Sequence, residues 1–194
     1  MIKFKNTFTD ILPYDRDQYI EFLFEEPNLV KWYGVSFQLN KKDKTISLPE
    51  FIQVYDPWLK KVILTFDRGS LWILNHDKND FEWLPNNEDN LPSLRNLFKQ
   101  NNISKNFKGA LIFSEDTLIE FSKELISYPY GVFNEHDLFY SNIDISHNKL
   151  PFVIKILDHL NIDLLSTDEE LLKRIIKENN SDSFILKPYK GTKL

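Results

Sequence analysis

The run Trp58-Leu59-Lys60-Lys61-Val62-Ile63-Leu64-Thr65-Phe66, followed by Asp67-Arg68-Gly69 and then Ser70-Leu71-Trp72-Ile73-Leu74-Asn75, decides how the fold is read. The first and last segments are rich in β-branched and aromatic residues, which favour a pleated, half-buried surface. Gly69 supplies the positive φ that a tight reversal between them needs. His76-Asp77-Lys78-Asn79-Asp80 is a second polar turn, and Phe81-Glu82-Trp83-Leu84 a third short run. The spacing predicts an antiparallel meander over residues 58–84. Three of the four tryptophans fall in it, which makes it the expected anchor of the core. Trp72, in the middle strand, is expected to be buried with Leu74 on its face and Leu71 and Ile73 on the other, so that the sheet is covered on both sides.

Outward from this stretch, Leu29–Leu39 has strand alternation, and Thr45–Leu48 reads as its return partner in a hairpin. Asp15-Arg16-Asp17 opens a short helix with acids near the positive end of the dipole. Apolar residues at 91, 94, 97 and 98 have helical spacing, with Pro92 in the first turn. Gly109–Phe113 is a buried strand, and Ser114 caps a helix that runs toward Tyr128-Pro129-Tyr130-Gly131. A strand is expected within 137–145, a short helix over 150–160, a strand over 161–165, and a helix from Leu171 to Asn179 after Ser166-Thr167-Asp168. The end of the tail that carries Lys187, Lys190 and Lys193 is expected to be loose. The class is α+β: a single domain over residues 1–194 with a mostly antiparallel sheet, helices packed against it and βα steps in the C-terminal half. A subdivision near residue 90 is the alternative.

The 194 residues suffice for a substantial core. The net charge of −5, from 24 basic and 29 acidic residues, argues against non-specific nucleic-acid binding, which needs a basic surface. The chain has no cysteine, which excludes disulfides, thiolate metal sites and cysteine nucleophiles. No signal-peptide pattern follows Met1 and no stretch approaches a membrane span. A cytoplasmic protein without cofactor is the expectation. Five glycines stand singly at 34, 69, 109, 131 and 191, so no phosphate-binding glycine loop exists, and neither a nucleophile elbow nor an HExxH helix is present.

Two groups of residues carry functional expectations. Acids concentrate in loops and helix starts, which would steer a basic protein partner. Glu88 and Asp89 with Trp83, and Glu135 with Asp137, are the candidate partner-binding residues, and a bacterial immunity protein that neutralises a nuclease-type toxin is the concrete form of this reading. The alternative is a metal-dependent hydrolase or nuclease using Asp144, His147, His159, Asp163 and Asp168, since converging carboxylates and imidazoles lower the pKa of a bound water. Capping and turn roles explain the same acids more simply. A phage or secretion-system assembly component is the third reading. His76-Asp77 reads as a turn, and the aromatics from Tyr128 to Tyr140 as core, because no basic residues interleave them.

Overall fold

In the computed structural model, residues 3–7, 9–25, 30–41, 45–76, 81–86, 90–132 and 142–193 are described. Among them the elements are, in chain order, β1 (Lys3–Lys5), α1 (Arg16–Leu23), β2 (Tyr33–Leu39), α2 (Leu48–Ile63), β3 (Leu71–His76), α3 (Pro92–Gln100) and β4 (Ala110–Ser114). There follow α4 (Glu115–Gly131), β5 (Ile143–His147), β6 (Phe152–Leu157), β7 (Asn161–Ser166), α5 (Glu169–Asn179) and β8 (Phe184–Pro188). The strands form one eight-stranded sheet in the order β1-β4-β3-β5-β6-β7-β2-β8, and every pairing is antiparallel. The sheet takes strands from both sides of residue 90. The α+β class, the mostly antiparallel sheet, the helices against it and the βα steps β4–α4 and β7–α5 all stand as read from the sequence.

The meander does not lie where the sequence placed it. Among the described residues of 58–84 there is one strand, β3; Trp58–Ile63 forms the end of α2, and 81–84 is irregular. The reason lies upstream. Ser47 accepts from the Glu50 amide while the Glu50 carboxylate reaches back to the Ser47 amide, a capping box with Pro49 in the first turn. From that start the buried residues Phe51, Tyr55, Trp58, Leu59, Val62 and Ile63 recur at helical spacing along one face. The same box removes the expected return strand: Thr45–Ser47 is irregular, and β2 pairs with β7 and β8 instead. The three-strand meander is β5-β6-β7. The expected helix over 150–160 is strand β6, whose Val153, Ile154 and Ile156 are β-branched and buried on both faces. Before the tail's end, β8 pairs with β2 from Val35 to Leu39.

The sheet is covered on both sides. One face carries Trp72, Leu74, Ile143, Ile145, Ile154, Ile156, Ile162 and Leu164 into the main core with α2, α3, α4 and α5. Val153 and Leu165 point the other way, beneath Tyr19 and Trp32, with Tyr14, Ile20, Phe22 and Tyr189 against them. Helix α1 therefore covers the second face. No described helix is long and apolar enough to cross a membrane.

Candidate functional site

The second face carries the polar residues of the central strands. In each of these strands a polar residue lies on the second face: Asn75 between Leu74 and His76, Asp144 between Ile143 and Ile145, Lys155 between Ile154 and Ile156. Asp163 in β7 and Ser36 in β2 continue the pattern. The register makes these residues successive cross-strand partners: Asn75↔Asp144, Asp144↔Lys155, Lys155↔Asp163 and Asp163↔Ser36. All five are buried. They form a polar row across five adjacent strands in which one ammonium stands between two carboxylates.

The row is held by specific bonds. Lys155 Nζ donates to Asp144 Oδ1 at 3.2 Å. Asn161 Nδ2 donates to both Asp163 Oδ1 and Ser36 Oγ, each at 2.8 Å. The Tyr189 hydroxyl donates to Asp163 Oδ2 at 2.5 Å. Nearby, the Tyr14 hydroxyl and Ser146 Oγ share a hydrogen bond of 2.8 Å. Such a seam adds little to stability, because taking charges out of water costs roughly several kcal/mol per ion and pairing only offsets it.

The cover over Asp163 is the segment after β8. The Tyr189 amide donates to the Gly34 carbonyl at 2.8 Å, and the Gly34 amide donates to Thr192 Oγ1 at 2.9 Å. The Tyr189 ring lies on Gly34, where an added Cβ would meet its Cγ at 3.0 Å. Phe22 of α1 stacks on its other side, with centroids 5.6 Å apart. Glycine at 34 thus lets the aromatic ring approach the sheet closely enough for its hydroxyl to reach Asp163.

Beside Tyr189 a recess of about 480 Å³ opens at the β6–β7 turn. Its polar lining is Ser36, Gln38, His159, Asn161, Asp163 and Tyr189; its apolar lining is Leu39, Ile46, Leu157 and Leu160. Desolvation is the largest influence on Asp163 and holds its carboxyl above the ordinary value; the hydrogen bonds from Tyr189, Ser36 and Asn161 and the charge of Lys155 oppose it. Burial, reinforced by the Asp163 charge, pushes the Tyr189 phenol far up, so that it remains a donor at every physiological pH. A buried carboxyl of raised pKa at a recess marks a functional-site candidate.

The five residues of the metal reading do not converge. Asp144 and Asp163 share the row, but they are two strands apart with Lys155 between them. His147 points to the opposite face, against Phe66 and Trp72. Its Nδ1 accepts the backbone amides of Lys149 and Leu150, so the proton sits on Nε2, which donates to Ser70 Oγ at 3.0 Å. Both nitrogens are used. His159 is exposed at the β6–β7 turn, 3.5 Å from Asp158, and Asp168 caps α5 by accepting the Leu171 amide. Among the described residues no group of three His, Asp or Glu side chains is placed to hold a metal ion.

Trp83 requires a correction as a partner-binding residue. It is fully buried, packs against His76 and Tyr128, and donates from Nε1 to the Gly109 carbonyl at 2.9 Å. A ring so enclosed offers no surface to a partner. Glu88, Asp89, Glu135 and Asp137 lie outside the described residues. The described chain ends that flank their segments do meet: Asn90 Nδ2 donates to the Gly131 carbonyl. The adjacent Tyr130 hydroxyl donates to the Leu157 carbonyl and accepts the Leu160 amide, which ties the end of α4 to the wall of the recess.

Comparison of the chain with protein-family models, with curated proteins and with solved structures finds no match.

The enclosed His147 gives a testable pH dependence. Burial is the main cause that lowers its pKa below the ordinary 6.5, with Lys149 adding to it. The unfolded chain therefore binds a proton that the folded chain refuses. Its contribution to stability is present above pH 6.5 and is lost progressively as the pH falls below that value. The urea midpoint should decline between pH 7 and pH 5, and His147→Gln should flatten that part of the profile. An unchanged slope in the variant would assign the acid sensitivity elsewhere.

Proposed function

We propose that the protein is a non-catalytic binding module that captures a basic protein partner, most concretely a cytoplasmic immunity protein that neutralises a nuclease-type toxin. One observation carries the reading. Asn90 and Gly131, which stand beside the acid-bearing stretches Glu88-Asp89 and Glu135-Asp137, are hydrogen-bonded to one another across 41 residues of sequence. Tyr130, next to Gly131, donates to the carbonyl of Leu157, which lines a recess that Asp163 also lines. Nucleases carry basic surfaces for phosphate, and a concentrated acidic surface steers and orients such a protein.

The experiment uses the product of the reading frame immediately upstream. Co-expression should relieve its toxicity, and the purified proteins should associate with a rate constant that falls steeply as salt is raised. Reversing Glu88, Asp89, Glu135 and Asp137 to lysine should slow association by about two orders of magnitude. Association insensitive to both salt and charge reversal would overturn the reading, as would the absence of any complex.

A further inference from the structure

The recess beside Asp163 has a chemistry that selects its occupant. Its floor is made of acceptors. Asp163 receives hydrogen bonds from neutral groups, the Tyr189 phenol, the Asn161 amide and the Ser36 hydroxyl, while Lys155 acts on it through space. The Asn161 nitrogen is committed to Ser36 and Asp163, which leaves the side-chain carbonyl oxygen to accept. Gln38 adds a second amide at the same place. The rest of the lining is the exposed His159 with the aliphatic Leu39, Ile46, Leu157 and Leu160. At about 480 Å³ the space is far larger than a bare cation requires and far smaller than a folded element. An anion would face the Asp163 carboxylate, and a purely apolar group would leave it desolvated without compensation.

Resting on the reading of the protein as a binder of a basic partner, we propose that this recess receives a cationic side chain of that partner, arginine in the first instance. Its guanidinium lies against Asp163, Asn161 and Gln38, and its methylene stem runs along Leu39 and Leu160. The planar fork of five donors suits several acceptors spread over one floor better than the point charge of lysine does. The stem supplies the apolar contact that the walls offer. Tyr130, next to Gly131, holds the Leu157–Leu160 turn of the recess through two hydrogen bonds.

The test needs no partner. The full-length protein, labelled with nitrogen-15, is titrated with N-acetyl-arginine amide, and its citrulline counterpart serves as the neutral isostere. Saturable shifts are expected at the side-chain amides of Gln38 and Asn161 and at the Leu160 amide, with a dissociation constant on the order of 1 mM. The citrulline compound should bind at least about tenfold more weakly. Asp163→Asn should abolish the difference between the two; the comparison in the wild-type protein stands even if that variant fails to fold. Equal binding of the two compounds would overturn the proposal, as would no shift at these positions. Failure of the wider reading looks different. If arginine binds the recess but the upstream protein neither associates nor displaces it, the site stands and the partner is wrong. If the upstream protein associates in a charge-dependent manner while arginine leaves the recess untouched, the partner stands and this site is wrong.

Discussion

Replacing Lys155 by methionine is expected to destabilise the protein by about 3–5 kcal/mol, the range observed when one member of a buried ion pair is removed. The side chains of Lys155 and Asp144 are 4 % and 1 % exposed, and Nζ lies 3.2 Å from Asp144 Oδ1. Methionine fills nearly the same volume, so the loss is one of charge and not of packing. Without the ammonium, Asp144 and Asp163 remain as two carboxylates on the same row, and Asp144 is left 1 % exposed with its ion-pair partner gone. A double variant, Lys155→Met with Asp144→Asn, should recover most of the loss, because neutralising both members removes the desolvation cost together with the attraction. Urea unfolding of the wild-type, single and double variants measures this. A single variant within about 0.5 kcal/mol of wild type, the range of ordinary surface substitutions, would mean that the row is open to water and that the register across β5, β6 and β7 is different.

The polar row also shows which parts of the molecule were legible in the sequence. Elements that announce themselves locally were readable. Asp168 caps α5 and the buried Leu171, Leu172, Ile175 and Ile176 follow at helical spacing; Ser114 caps α4; Pro92 opens α3. The stretch 58–66 misled because β-branched and aromatic residues also suit a buried helix face, and the deciding signal is a pair, Ser47 with Glu50, whose first member sits eleven residues before Trp58 in the expected return strand Thr45–Leu48. Residues 150–160 misled in the opposite sense: Pro151 resembled a helix opening, but the β-branched run Val153-Ile154 with Ile156 is a strand buried on both faces. Of the candidate site, Asp144 and Asp163 were identified and do lie in one row. Lys155, Asn75 and Ser36 were missed. Each is the polar residue of an alternating strand, a signal present in the sequence, but what brings them together is the pairing of β3, β5, β6, β7 and β2. That order is set by contacts between distant segments and by no local residue pattern. The same pairing separates the residues of the metal reading: Lys155 stands between Asp144 and Asp163, His147 faces Phe66 and Trp72, and Asp168 caps α5.

Trp72→Ala is expected to cost about 3–5 kcal/mol, the usual range for deleting a large buried aromatic. The indole is fully buried in β3, which has β4 on one side and β5 on the other. It meets Phe66 and His147 edge to face, at centroid distances of 5.1 Å and 5.3 Å, an arrangement that adds to the area it buries. Leu74 shares its face and enters the same core, while Ile73 turns to the other side against Ala110, Ile11 and Leu12. The backbone is fixed by pairing on both edges and cannot close over the lost volume, so the void persists and its cost is added to the transfer term. Trp72→Phe separates packing from polarity. The indole Nε1 is buried without a hydrogen-bond partner, and phenylalanine removes that unsatisfied donor together with part of the ring. Its cost should therefore be small, about 1 kcal/mol. Equal losses in the two variants would show that the nitrogen is satisfied in solution; an unchanged midpoint for Trp72→Ala would show that β3 does not hold this face of the sheet.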